Sequence, residues 1–243
     1  MTPPVAGARA VRLLEAARAA KGFMPDDEGV VLAHLAGLVA AAGCATIVEI
    51  GAYCGRSALY LAAGLAGAGG QAGAGGQAGA GAGRAPGPPD GCVVLSVDHH
   101  HGSEENQAGW EHHDSALVDP RTGRMDTLPA WRATIDDAGA ADLVIGIVGD
   151  SQVVAAHFPG EAGLVFIDGG HSSQAAWTDY RSWAPKVADG GYLAIHDVFP
   201  DPDEGGRPPY ELYVRALACG AFEEVGAVSK GSLRVLRRVR PGI

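Results

Sequence analysis

The chain has 243 residues, with 18 Lys and Arg against 28 Asp and Glu, for a net charge of −10. This length suits one domain around a single sizeable core. The acidic balance argues against a nucleic-acid partner, because such surfaces hold phosphate with Lys and Arg. Four cysteines, Cys44, Cys54, Cys92 and Cys219, lie far apart without a CxxC pair. They read as buried thiols, not as a disulfide frame or a zinc site. Arg9, Arg12, Glu15 and Arg18 interrupt the Ala-rich N-terminus, which therefore lacks the uncharged core of a signal peptide. No stretch reaches transmembrane length, so a cytoplasmic protein with no membrane partner is expected.

Two helices are expected first. Residues 11–20 carry Leu13 and Leu14 on one side, and residues 28–42 carry Val30, Val31, Leu35 and Leu38. Thr46–Ile50 is the first strand, followed by a turn through Gly51 and Gly55 and a helix over 56–64. Residues 64–90 are almost all Gly, Ala, Gln and Pro. They have little to bury and much entropy to lose, which predicts a flexible surface insertion. Residues 92–97 form the second strand, ending at Asp98. The polar loop 99–124 follows. A loop of that length is functional or disordered, and its aromatic and charged mixture makes it the expected lid. A helix over 127–138, a strand over 142–148 and a short helix from Asp150-Ser151 come next. The strand 163–167 ends at Asp168, a helix covers 172–188, and the strand 191–195 ends in His196-Asp197. A Pro/Gly-rich loop, a helix over 210–218 and two strands, 222–228 and 232–236, close the chain. This alternation predicts an α/β fold. It is a Rossmann-like, doubly wound, mostly parallel seven-stranded sheet with a C-terminal antiparallel hairpin.

The chemistry gathers at strand ends. Gly51 and Gly55 let the backbone approach a ligand closely, and the helix behind them starts near Ser57 with its N–H groups aimed forward. Glu49 repels phosphate there but welcomes an ammonium group or a hydroxyl. The dinucleotide Gly-x-Gly-x-x-Gly and the Gly-Lys-Ser/Thr phosphate loop are both missing from this turn, which argues against an oxidoreductase. Asp98 is placed to hold a ribose diol, or is a solvated strand end. Asp150 accepts from an adenine amino group or caps its helix.

Glu49 to Ser57, Asp98, Gly149-Asp150-Ser151, Asp168-Gly-Gly-His171 and His196-Asp197 together resemble the class I S-adenosylmethionine-dependent methyltransferases. Within these, the chain is similar to the metal-dependent O-methyltransferases of sugars and natural products. The resemblance spans residues 47–236. It implies a methyltransferase domain over 46–243, with helices of 1–45 packing on it or capping it. Glu49, Gly51, Tyr53, Gly55 and Ser57 would meet the amino-acid part of the cofactor. Asp98 would bind its ribose with His99 nearby, and Asp150 and Ser151 would flank its adenine.

Asp168 and Asp197 end neighbouring strands, and with His196 they are a candidate set for one divalent ion. Oxygen ligands suit Mg²⁺ or Mn²⁺, and an imidazole tilts the choice toward Mn²⁺. Relatives more often carry an acid where His196 stands. A carboxylate pair without metal is the plainer reading. His171, three residues after Asp168, is the expected general base, with a structural or substrate-orienting role as its rival. A chelating ion favours a polyol, sugar or catechol acceptor. The histidines of the loop are in adjacent runs and show no separated zinc-ligand pairing. Trp110 is placed to stack on a ring, Trp177 and Trp183 read as packing residues, and Tyr210 and Tyr213 as acceptor-pocket residues. The N-terminal helices could equally form a homodimer surface. The alternatives are a metal-independent methyltransferase using His171 alone and a non-catalytic cofactor-binding protein.

Overall fold

The computed structural model describes residues 7–43, 46–72, 91–107, 109–110, 112–201 and 203–240. Cys44 and most of the Gly/Ala-rich segment, with the flexibility expected of it, lie outside the described residues. Two helices lead, α1 (Ala8–Ala19) and α2 (Asp26–Ala41). In α2 the buried face is Leu32, Leu35, Ala36 and Val39, while Leu38 is exposed. Val30 and Val31 are partly buried against the same core as Leu35, so only Leu38 of the expected face turns outward, on a helix with apolar residues on several sides.

Next come β1 (Thr46–Ile50), α3 (Arg56–Ala72) and β2 (Val93–Asp98). The helix runs past Gly64 into the Gly/Ala-rich segment, where alanine sustains helical backbone. Two-residue strands β3 (Val118–Asp119) and β4 (Arg124–Met125) pair as a small antiparallel ribbon. Then follow α4 (Leu128–Asp137), β5 (Val144–Val148), α5 (Ser151–His157), β6 (Ala162–Ile167) and α6 (Ser173–Trp183). The chain ends with β7 (Val187–Ile195), α7 (Arg207–Ala218), β8 (Phe222–Glu224) and β9 (Arg234–Arg238). The helix expected over 172–188 stops at Trp183. Pro185 sits in a single 3₁₀ turn, Ala184–Lys186, and β7 starts directly after it. Proline cannot donate to the helical ladder, which ends the helix at that point.

The main sheet has the order β5-β2-β1-β6-β7-β9-β8. The five strands β5, β2, β1, β6 and β7 are parallel, and β9 is antiparallel between β7 and β8. The sheet is therefore the expected doubly wound, mostly parallel one. Alternate residues of β1 feed two cores. Ile47 joins Leu35, Leu59 and Phe166 under α2 and α3, and Val48 joins Val165, Trp183 and Leu212 under α6 and α7. Among the described residues, no helix is long and apolar enough to cross a membrane.

Backbone hydrogen bonds continue past the last paired residues. Asp168 N–H donates to Ile50 O at 2.9 Å, and His196 N–H donates to Ile167 O at 3.1 Å. The residues that follow β1, β6 and β7 are thus held side by side at one edge, where open parallel sheets place their ligands.

Candidate active site

The turn after β1 uses left-handed backbone at Gly51, Tyr53 and Gly55, with φ of 88°, 44° and 92°. A Cβ on Gly51 would lie 2.1 Å from the Asp168 carbonyl oxygen, so the turn packs directly on the end of β6. Asp98 holds the turn in place. Its Oδ2 accepts from the Ala52 and Tyr53 N–H groups at 2.9 Å each, and its Oδ1 accepts from His100 N–H at 2.7 Å. Oδ1 retains a lone pair for a ligand hydroxyl.

A cleft of about 1040 Å³ opens along this edge of the sheet. Of the residues expected to meet the cofactor, Gly51, Tyr53, Ser57, Asp98, His99, Asp150 and Ser151 line it. Gly55 faces Trp131 and Thr134 of α4, and its part is to close the turn. Glu49 is fully buried beneath the turn and outside the cleft wall. Its Oε2 accepts from Ser96 Oγ at 2.5 Å, and Oε1 has no protein partner. Burial pushes its carboxyl up to about 7, against the pull of the nearby Ser57 and Ser96 hydroxyls.

Asp150 is the N-cap of α5, accepting from Gln152 and Val153 N–H at 3.0 and 3.2 Å. Ser151 Oγ donates to Asp179, a buried carboxylate of α6 that also lines the cleft. Burial raises Asp179 to about 6, partly offset by that hydrogen bond. No sequence signal marked Asp179. It lies mid-helix, and only the packing of α6 beside α5 brings it to the cleft.

At the other end of the cleft, donor atoms of Asp168, His196 and Asp197 lie within 4.8 Å of one another. His196 Nδ1 is 2.8 Å from Asp168 Oδ1 and 3.3 Å from Asp197 Oδ2. Neighbouring donors around a six-coordinate ion with bonds of about 2.1 Å sit about 3 Å apart, and these two separations are of that size, so the set could hold a metal ion. His171 Nε2 is 3.0 Å from Asp197 Oδ2. Asp197 itself has a φ of 54°, a left-handed conformation that aims its carboxylate back between the two histidines. Burial works to raise the Asp197 carboxyl, but hydrogen bonds from His171 and His196 outweigh it and hold it well below the usual range. Burial lowers His196, yet Asp168, Asp197 and Glu28 together hold it well above its ordinary value.

Residues 48–198, more than half of the chain, match the family described as Methyltransferase domain. The chain belongs to this family of methyltransferases. Its sheet order and helical layers are those of the class I S-adenosylmethionine-dependent fold. The fold is shared with Rv0187 from MTB, crystallised with cofactor, at 17% identity and a TM-score of 0.56, over 97% of this chain and 89% of that one. It is shared with the O-methyltransferase TomG from Streptomyces achromogenes, solved with SAM, at 16% identity and a TM-score of 0.56, over 97% and 91%. An O-methyltransferase from Bacillus cereus in complex with SAH aligns at 16% identity and a TM-score of 0.55, over 99% and 94%.

In this methyltransferase, the described part of loop 99–124 is held by several of its own side chains. His100 is buried, with Nδ1 2.8 Å from Thr127 Oγ1, while His101 and His113 bond the backbone carbonyls of Met125 and Asn106. Asp168, His196 and Asp197 are the one convergent metal-type set among the described residues, so the loop histidines form no second one. Trp110 is exposed at the rim of the cleft. The segment between α1 and α2 closes the mouth from the other side. Phe23 packs on the rings of Tyr53 and His112, and Lys21 pairs with Asp114. Trp183 is buried in the core and Trp177 packs on Tyr180, as expected. Tyr210 and Tyr213 do not line the cleft. Tyr210 sits under the Arg207 guanidinium, and Tyr213 donates to Glu224. That wall is built by Phe199, Glu204 and Gly206 instead.

Proposed function

We propose that this methyltransferase transfers the methyl group of S-adenosylmethionine to a hydroxyl of a small polyhydroxylated acceptor, a sugar or natural product, with the help of Mg²⁺ or Mn²⁺. One observation carries the reading. The donor set of Asp168, His196 and Asp197, with His171 beside it, shares a single cleft with the glycine turn. Support comes from relatives of the same fold described as O-methyltransferases with SAM or SAH bound.

The cofactor supplies a methyl group already activated on sulfur. The turn from Gly51 to Ser57 would receive its amino-acid part, Asp98 and His99 its ribose, and Asp150 and Ser151 its adenine end. Asp168, His196 and Asp197 would hold the ion, whose chemistry is to acidify a substrate hydroxyl. His171 takes that proton on its imidazole, and Asp197, 3.0 Å from Nε2, stabilises the charge that results. The rigid strand ends align the two reactants, and alignment is the largest service a protein offers to so reactive a donor. A diol or catechol presents the two neighbouring oxygens that such a site selects.

The test is S-adenosylhomocysteine formation across sugar, catechol and polyol acceptors, with Mg²⁺, Mn²⁺ or EDTA. Metal-stimulated turnover that EDTA abolishes is expected. Turnover indifferent to EDTA would move the chemistry to His171 alone. That second reading is favoured by the His171–Asp197 pair, an imidazole 3.0 Å from a carboxylate that can stabilise its charge. Cofactor binding with no turnover on any acceptor would sink both.

A further inference from the structure

The ring of His196 is held at both nitrogens. Nδ1 faces Asp168 and Asp197, and Nε2 lies 2.6 Å from Oε2 of Glu28, which comes from the first turn of α2. Glu28 is itself buried, at 3% exposure. Its Oε1 accepts from the Ser232 backbone N–H at 2.6 Å. The loop before β9 wraps it closely. A Cβ on Gly231, whose φ is +52°, would stand 1.9 Å from Oε1, so only glycine fits there. Val198, just after the donor set, is tied to the same loop by its N–H to Ser232 O at 3.0 Å. A carboxylate from far away in sequence is thus enclosed on all sides and delivered to one imidazole nitrogen.

We propose that Glu28 is the positioning residue of the metal site. By accepting from His196 Nε2, it turns Nδ1 into the space between Asp168 and Asp197 and makes His196 a nitrogen ligand. Carboxylates face both ring nitrogens, Asp168 and Asp197 at Nδ1 and Glu28 at Nε2, so both nitrogens can donate before an ion binds. An ion between Asp168 and Asp197 would replace the Nδ1 hydrogen, and Glu28 would keep the remaining hydrogen on Nε2. Carboxylates that fix the tautomer and orientation of metal-binding histidines act in this way generally. The consequence is a preference for ions that accept imidazole, Mn²⁺ over Mg²⁺. This inference rests on the metal-assisted reading above.

The experiment uses the full chain with Mn²⁺, read by pulsed EPR for directly bound nitrogen and by calorimetry for Mn²⁺, Mg²⁺ and S-adenosylmethionine affinity. The wild type is expected to show a directly coordinated ¹⁴N that His196→Ala abolishes. In Glu28→Gln, the amide must either face the Ser232 N–H with its NH₂ or turn that NH₂ toward His196. Mn²⁺ affinity should fall about 10- to 100-fold, the nitrogen coupling should change and the preference for Mn²⁺ should shrink, with cofactor affinity retained. A Glu28→Gln protein that binds Mn²⁺ with wild-type affinity and coupling overturns the proposal and leaves Glu28 a structural latch. Mn²⁺ bound to wild type without coordinated nitrogen also overturns it, while leaving the metal-assisted function standing on the carboxylates. A wild type that binds cofactor but no ion overturns both. Should Glu28→Gln fail to fold, ¹⁵N-histidine NMR of the wild type with diamagnetic Mg²⁺ decides. His196 must keep its Nε2 hydrogen while Nδ1 shifts, and the opposite assignment refutes the role.

Discussion

Two histidine-bearing regions of this chain make an instructive contrast. Loop 99–124 packs His99, His100, His101, His112 and His113 close together in sequence, next to several acids. His171 and His196 are isolated in sequence. Yet His171 and His196 join Asp168 and Asp197 around one point, while His100, His101 and His113 are spent on side-chain and backbone partners of their own neighbourhood. Density of ligand-type residues along a chain does not make a site. Adjacent residues in a loop point in different directions, whereas neighbouring parallel strands, about 4.8 Å apart, aim their terminal residues at a common edge.

The sharpest way to break this contrast is Asp168→Ala. Loss of a ligand should reduce methyl transfer about 1000-fold and abolish Mn²⁺ binding, whereas His113→Ala should leave Mn²⁺ affinity unchanged by calorimetry. A loop variant that weakened the metal as strongly would reverse the comparison. His171→Gln comes next, with an expected loss of about 100-fold in kcat. The pH–rate profile should lose the limb in which the base becomes protonated, and an intact limb would assign the base elsewhere.

A smaller effect separates the buried acid of β1 from both regions. Between its ordinary 4.5 and the folded value of about 7, Glu49 keeps in the folded state a proton that the unfolded chain has released. Stability therefore falls as pH rises through that window, by roughly 3 kcal/mol at most. Glu49→Gln removes this dependence, so its melting temperature should gain on wild type from pH 5 to pH 8. Parallel curves would show that Glu49 ionises without cost. The smallest expected change is His100→Ala, about 2 kcal/mol of stability from the lost buried bond to Thr127, measured by denaturant unfolding with metal affinity unaltered.

Much of the fold was legible because each parallel strand is a short apolar run closed by an acid or a glycine turn. Asp98, Asp168 and Asp197 were found in this way, and all three line the cleft. Element ends were less legible. The end of α6 yielded to Pro185, and Leu38 of α2 proved to be exposed although Val30, Val31 and Leu35 pack on the core as expected, because apolar residues stand on several sides of that helix. Glu28 and Asp179 were invisible as site residues. Each sits on a helix with no motif around it, and each is brought into place by contact with residues distant in the chain: Ser232 and His196 for Glu28, Ser151 for Asp179.

The sequence by itself therefore determined the alternation of strands and helices, the glycine turn and the acids at strand ends, because these depend on local periodicity and backbone freedom. Only the tertiary structure decided which of those groups meet. It decided that Asp150 caps its helix, that Glu49 lies beneath the turn, and that Glu28 reaches His196. Such meetings depend on sheet register and helix packing, and those are set by the whole core at once.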